Sequence, residues 1–260
     1  EISACLVGSE MCIRDSILLW AWLIMIVFTA FSFTSKKLEG TPLLNITQTS
    51  VLIIGLFFII LLVINSPFEA TPNIYGSVEG KGLNPLLRNF WMGIHPPVLF
   101  IGYAALTIPY GASIGYIFTK DKRWVQLSKF WSRLGWLFLT LGIGLGGFWA
   151  YEELGWGGYW AWDPVETSSL IPWITATAFL HCLTRSRTNE YRVTAPLLAI
   201  STLALVFFST FLTRGGAQFV FNPHGWESSD VGPAIIVFLL TIIISGAYLI
   251  LKHFNEIPET

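Results

Sequence analysis

Residues 51–64 read VLIIGLFFIILLVI, a stretch without one ionisable side chain. The hydrocarbon core of a bilayer is about 30 Å thick, and a helix crosses it with about 20 apolar residues. Runs of that kind recur along the chain, roughly at 17–33, 48–65, 97–118, 132–150, 165–184, 193–213 and 232–251. The expected fold class is therefore all-α, a polytopic transmembrane helical bundle of about seven helices. Composition agrees, with 12% charged residues and a mean hydropathy of +0.62, where soluble domains carry about 25% charged residues. The net charge of -1 says little by itself, because the signs are segregated between loops. No basic stripe lies outside the loops that flank apolar runs, which excludes nucleic-acid binding.

Loop charge sets the expected orientation. Lys36 and Lys37 lie in loop 34–47; Lys120, Lys122, Arg123 and Lys129 lie in loop 119–131, with Arg133 just beyond. Arg185, Arg187 and Arg192 flank the next basic loop, and Lys252 the tail. The intervening loops 66–96, 151–164 and 214–231 hold only Lys81, Arg88 and Arg214. The basic set faces the cytoplasm on this reading. The other three loops then share the outer face of a multi-pass protein of a prokaryotic plasma membrane.

The first sixteen residues depart from the pattern. EISACLVGSEMCIRDS is polar and aperiodic, and CLVGSEMCIRDS looks like the translation of a transposase adapter used in sequencing libraries. Residues 1–16 are expected to be non-native and the remainder to be a fragment of a longer protein, with residues 17–260 as one transmembrane domain. Cys5 and Cys12 go with that segment, so no disulfide or metal argument stands, and Cys182 reads as packing.

One outer loop is unusual. WGGYWAWDPVETSSLIPW, residues 156–173, sets Trp156, Trp160 and Trp162 beside acids and a proline. Asp163 suits a helix N-cap, Pro164 the first helical position, and Glu166 the acid of a capping box. The tryptophans, with Trp149 and Tyr159, read either as an interfacial belt or as a platform for a large flat ligand. Gly155, Gly157 and Gly158 would let backbone approach that ligand. His95 and His224 lie in the other two outer loops, and neutral imidazole is a usual axial ligand of haem iron. Each could equally be a polar residue at a helix start or in a loop. Pro96 and Pro97 are expected to begin the helix that follows His95. Arg88 and Arg214 could pair haem propionates or simply keep their loops wet. His181 lies within an apolar span about 25 Å from the Asp163 cap at 1.5 Å per residue, where an ionisable group invites a functional reading. His253 reads as surface. Pro172 should kink its helix by clashing with the Ser168 carbonyl, with Ser168 and Ser169 resatisfying the freed backbone.

SPFEATP, LNPLLRNFWMGIHPPVLFIGY, LGIGLGGFWAYEELGWGGYWAWDPVETSSLIPW and TFLTRGG, in that order, resemble the WWD-domain family of haem-handling membrane proteins of cytochrome c maturation. The pairing of LNPLL with HPP, and DPVE with PW, resembles the CcmF-type haem-lyase branch more than the CcsA or CcmC types. The resemblance covers about Asn65 to residue 250. It implies His95 and His224 as outer axial ligands holding a transient haem against a platform of Trp156, Gly157, Gly158, Tyr159, Trp160, Trp162 and Asp163. It implies His181 as one ligand of a resident haem b in the membrane, reduced by quinol. It further implies a CcmE-like haem chaperone, a CcmH-like thiol-handling subunit and an apocytochrome c CxxCH site as partners, with lipid around the bundle. No acid–base pair is expected to be catalytic. A haem transporter or exporter without ligation activity, and a b-type electron-transfer cytochrome, remain as alternatives.

Overall fold

A computed structural model describes residues 2–68, 89–153, 155, 157–185, 191–214 and 231–256. Among them are eight α-helices and no strand. Helix α1 spans Ile2–Thr34 and α2 Pro42–Ile64, the latter opened by Thr41, whose hydroxyl accepts from the Leu44 amide, and by Pro42 in the first turn. Helices α3, Phe90–Ala105, and α4, Thr107–Thr119, form one span broken at Leu106. Pro109 has no N–H to return to the Ala105 carbonyl, which accounts for the break. Helix α5 is Trp124–Glu153, α6 Pro164–Thr184, α7 Thr194–Arg214 and α8 Val231–His253. Short 3-10 turns, Lys36–Leu38 and Phe254–Glu256, lie at the end of the bundle away from the Trp-rich loop.

Six of these segments are long and apolar enough to cross a membrane: 16–34, 42–64, 90–119, 124–153, 194–213 and 231–256. Helix α6 has the length but dilutes its apolar face with Glu166, Ser168, Ser169, Thr175, Thr177 and His181. It packs between α5 and α7. Helices thus occupy all the expected spans, and several start earlier than the apolar runs suggest. Hydropathy marks the part of a helix in lipid; the caps at Thr41 and Asn89 mark where the helix begins.

The core follows from inward aromatic packing. Trp20 of α1 is 1% exposed and lies 4.4 Å from Phe58 of α2 between ring centroids, and 5.7 and 5.4 Å from Tyr103 of α3 and Phe207 of α7. Large apolar side chains also point outward, Val63 at 77% and Leu251 at 75% exposed, as expected where the solvent is hydrocarbon. Cys182 is buried.

Two expectations about proline need correction. Pro96 and Pro97 lie inside α3, which Asn89 caps by accepting from the Trp91 amide at 2.8 Å. Helix α6 runs on across Pro172, and Ser168 and Ser169 donate to the Val165 and Glu166 carbonyls rather than to the Ser168 carbonyl that Pro172 leaves without its helical partner.

Candidate haem site at the Trp-rich end of the bundle

The end of α5 and the start of α3 are tied together by polar contacts. Asn89 donates from Nδ2 to Glu152 and Glu153, both at 2.9 Å, and Trp91 Nε1 donates to Glu152 at 2.9 Å. One helical turn further in, His95 crosses to α5. Its Nδ1 lies 2.8 Å from the Gly142 carbonyl oxygen. A carbonyl only accepts, so Nδ1 bears the proton and the lone pair of the neutral ring is on Nε2. The imidazole lies nearly parallel to Trp149, with centroids 6.4 Å apart and 17° between planes, and Trp149 is 4% exposed.

His95 borders a cavity of about 120 Å³ between α3, α5, α6 and α7. One wall is apolar, with Leu99, Phe100 and Ile143; Trp149 and Trp160 stand near the loop. The opposite wall is polar, with Glu166, Ser169, Thr210 and Thr213. The floor is a buried knot of hydroxyls in which Ser209 Oγ lies 3.2 Å from Tyr103 Oη and 3.0 Å from Ser168 Oγ. Trp160 Nε1 is buried and has no hydrogen-bond partner among the described residues. Burying an indole N–H unpaired costs about 1–3 kcal/mol, so this wall of the cavity is short of one acceptor.

The start of α6 behaves as its sequence predicts. Asp163 Oδ1 accepts from the Glu166 amide at 2.7 Å, with Pro164 first in the helix. Glu166 Oε2 accepts from the Ala161 amide at 2.8 Å, holding the loop against the helix that follows it. The platform is divided, however. Trp160 faces the cavity, whereas Tyr159 stacks on Tyr151 at 4.5 Å and Trp162 is 71% exposed. Gly157 meets no described atom within 4 Å of an added Cβ, and its φ of +73° makes glycine a requirement of the turn rather than of close approach. A Cβ at Gly158 would meet only the Trp160 carbonyl oxygen, at 4.0 Å.

His181 is exposed on α6, one turn from its end and far from the cavity, and its ring makes no hydrogen bond among the described residues. His253 pairs with Glu256 at the far end of the bundle. Trp156, His224 and Arg88 lie outside the described residues, and Arg214 closes α7. No metal-binding cluster of His, Cys, Asp and Glu occurs among the described residues. Sequence reasoning missed Gly142, Gly146, Ser169 and Thr213. Only the glycine-rich spacing of GIGLGG, 142–147, hinted at the first two.

A family model described as Cytochrome C assembly protein matches residues 11–221, which takes in both His95 and the Trp-rich loop. The chain belongs to the cytochrome c assembly protein family. The chain is 36% identical over 238 residues to the cytochrome c-type biogenesis protein CcmF of Haemophilus influenzae, covering 90% of this chain and 36% of that protein. It is 34% identical to CcmF of Escherichia coli over 246 residues, 91% of this chain and 37% of the relative. Its fold matches a solved structure named Cytochrome c Heme Lyase CcmF, with a TM-score of 0.71 and 28% identity over 92% of this chain and 36% of that one. The chain thus spans little more than a third of these relatives.

Haem, the group in that structure's name, can be tested against the residues present. An imidazole with its lone pair on Nε2, and an indole N–H without a partner among the described residues, suit an iron macrocycle with acceptor groups at its edge; Trp149, parallel to the imidazole, packs against that ring and not against the face of a macrocycle. Pockets that enclose a drug-sized ligand hold about 300–1,000 Å³, so the cavity admits part of a macrocycle and not the whole.

Proposed function

We propose that this chain is the haem-handling part of a cytochrome c haem-lyase subunit, holding haem at the Trp-rich end of the bundle while it is joined to an apocytochrome c CxxCH site. The observation that supports this best is the His95 ring, whose Nδ1–H donates to the Gly142 carbonyl, at the edge of a cavity with a Trp160 N–H that has no partner among the described residues. Haem supplies an iron with axial positions and vinyl groups that can take thiols. His95 and His224 would be the residues that hold the iron. Trp149 packs against the His95 ring and Trp160 flanks the haem, with Trp156, Trp162, Tyr159, Gly157 and Gly158 in the loop around it. Asp163 holds that loop to α6, and Arg88 and Arg214 are the cations for the propionates. The protein's contribution is position rather than proton transfer.

On this reading the Trp-rich loop lies on the outer face of a bacterial plasma membrane. Haem arrives from a CcmE-like chaperone, and a CcmH-like subunit presents reduced thiols. His181, on the outside of α6, contributes to a resident haem b reduced by quinol, the other ligand coming from elsewhere in the protein. Its exposure favours a shared site over a self-contained b-type cytochrome, in which histidines would face each other across the bundle.

The test is the visible absorption spectrum of the full-length protein purified from membranes, with His95→Ala, His224→Ala and His181→Ala alongside. His181→Ala should lose a constant b-type haem, while His95→Ala and His224→Ala lose only the haem delivered by the chaperone. Wild-type spectra in all three variants would sink the reading.

A further inference from the structure

Helices α3 and α5 meet in antiparallel order, with a large residue of one against a small residue of the other at each step. A Cβ at Gly135 would stand 2.9 Å from Leu106 Cγ, and one at Gly102 would stand 3.0 Å from the Leu139 backbone nitrogen. A Cβ at Gly142 would stand 2.9 Å from Leu99 Cα. His95 is the next large residue along α3 at helical spacing, and it takes the next glycine of α5. A Cβ at Gly146 would stand 2.8 Å from His95 Cε1 and 2.9 Å from Nδ1. The neighbouring Gly147 receives the Trp-rich loop, since a Cβ there would stand 3.1 Å from the Tyr159 carbonyl oxygen. Tyr159 is the residue before Trp160. One turn of α5 therefore touches both the imidazole and the loop, and the Gly142 carbonyl at its base accepts from Nδ1–H with N and O 2.8 Å apart.

We propose that the Gly146–Gly147 pair is the positioning element of the haem site: Gly146 seats the His95 ring, Gly147 seats the loop backbone, and together they fix the imidazole relative to Trp160. This rests on His95 being a haem ligand. Ordinary contact with a new Cβ begins near 3.4 Å, so alanine at Gly146, starting from 2.8 Å, must push the ring by about half an ångström or turn it. A metal–ligand bond tolerates about ±0.2 Å, so that displacement is too large to absorb. Turning the ring takes Nδ1–H off Gly142 and releases the tautomer. Loss of such outer-shell support costs about 10–100-fold in metal affinity. Gly144, two residues away, meets nothing within 4 Å and serves as the control.

The experiment titrates haem into haem-free full-length protein carrying Gly144→Ala, Gly146→Ala or Gly147→Ala, with His95 intact or replaced by alanine. Gly146→Ala should weaken haem binding by about 10–100-fold, Gly147→Ala should weaken it less, and Gly144→Ala should match the native protein. With His95→Ala in place, Gly146→Ala should change nothing further in whatever binding remains. Equal losses in both backgrounds would mean general packing and overturn the proposal. So would native affinity in Gly146→Ala while His95→Ala loses haem. Native affinity in His95→Ala would overturn the ligand reading and this inference with it. A haem-free measurement stands apart from all of these: ¹⁵N-histidine NMR, with the His95 signal assigned by its loss in His95→Ala, should show Nδ1 protonated. A ring protonated at Nε2 overturns the proposal even if Gly146→Ala does not fold.

Discussion

Trp162 adopts φ +60°, a left-handed conformation that a side-chain-bearing residue enters at a cost, and its ring is 71% exposed. Neither feature helps the bundle fold. Backbone strain of this sort costs about 1–3 kcal/mol and persists where function requires it. The loop turns at Gly155 and Gly157 through positive φ, and turning again at Trp162 presents the indole outward immediately before the Asp163 cap. Trp162→Gly should therefore leave stability unchanged or raise it by up to about 1 kcal/mol, while lowering haem occupancy of the full-length protein. Thermal unfolding followed by circular dichroism, beside the absorption spectrum, separates the two effects. A destabilised variant would mean that the ring is structural. At this scale the sequence was readable where chemistry is local. Asp163, Pro164 and Glu166 specify a helix start by type and spacing alone, and they form one. The inward turn of Trp160 and the outward turn of Trp162 were not readable, because alternate facing depends on the dihedral angles of the loop.

Helices α5 and α6 enter and leave the Trp-rich loop, and a reciprocal clamp sets their register. Trp136 Nε1 donates to Thr177 Oγ1 at 2.8 Å, and Trp173 Nε1 donates to Thr140 Oγ1 at 2.7 Å. The two indoles stack at 5.8 Å and 26°. Each threonine lies four residues beyond the tryptophan of its own helix and donates to that tryptophan's carbonyl, so the two halves are alike. Interhelical hydrogen bonds between membrane helices average about 0.6 kcal/mol and reach about 1.7. Thr140→Val and Thr177→Val keep the shape and remove the acceptor, so each should lower unfolding free energy in detergent by about 0.6–1.7 kcal/mol. Steric trapping or denaturant titration checks this, and no change in either variant would dismiss the clamp. Spans and their order were legible from apolar length, because the bilayer imposes that length. Helix ends were less so, since α3 begins at Asn89, well before Pro96. The seam between α3 and α5 was not legible at all. Glycines in GIGLGG look alike in sequence, yet Gly142 and Gly146 face α3 while Gly144 faces open space, and only the helical phase against a partner distinguishes them.

Over the whole molecule, polar chemistry is segregated to the two ends. One end gathers Asn89, Glu152, Glu153, the cavity and the loop; the other gathers Lys120, Asp121, Arg123 and Glu256, with Lys120 Nζ 3.6 Å from Glu256 Oε2. Between them lies a band where large apolar side chains such as Leu56, Ile60 and Ile244 face outward. A molecule so divided has one comfortable depth in a bilayer, and the loop charges choose which end faces in. Lys36, Lys37, Lys122 and Arg185 share the end opposite the Trp-rich loop, so the proposed topology predicts Trp162 outside and Lys122 inside. The orientation can be checked in intact cells with the full-length protein, after Cys182 and every other native cysteine are replaced so that one introduced thiol reports alone. Trp162→Cys should react with a membrane-impermeant maleimide added outside, and Lys122→Cys should react only after the membrane is opened. The reverse pattern would put the Trp-rich loop in the cytoplasm. Haem attachment there would face a compartment in which the partner apocytochrome does not reside, and the lyase reading would fall with the topology.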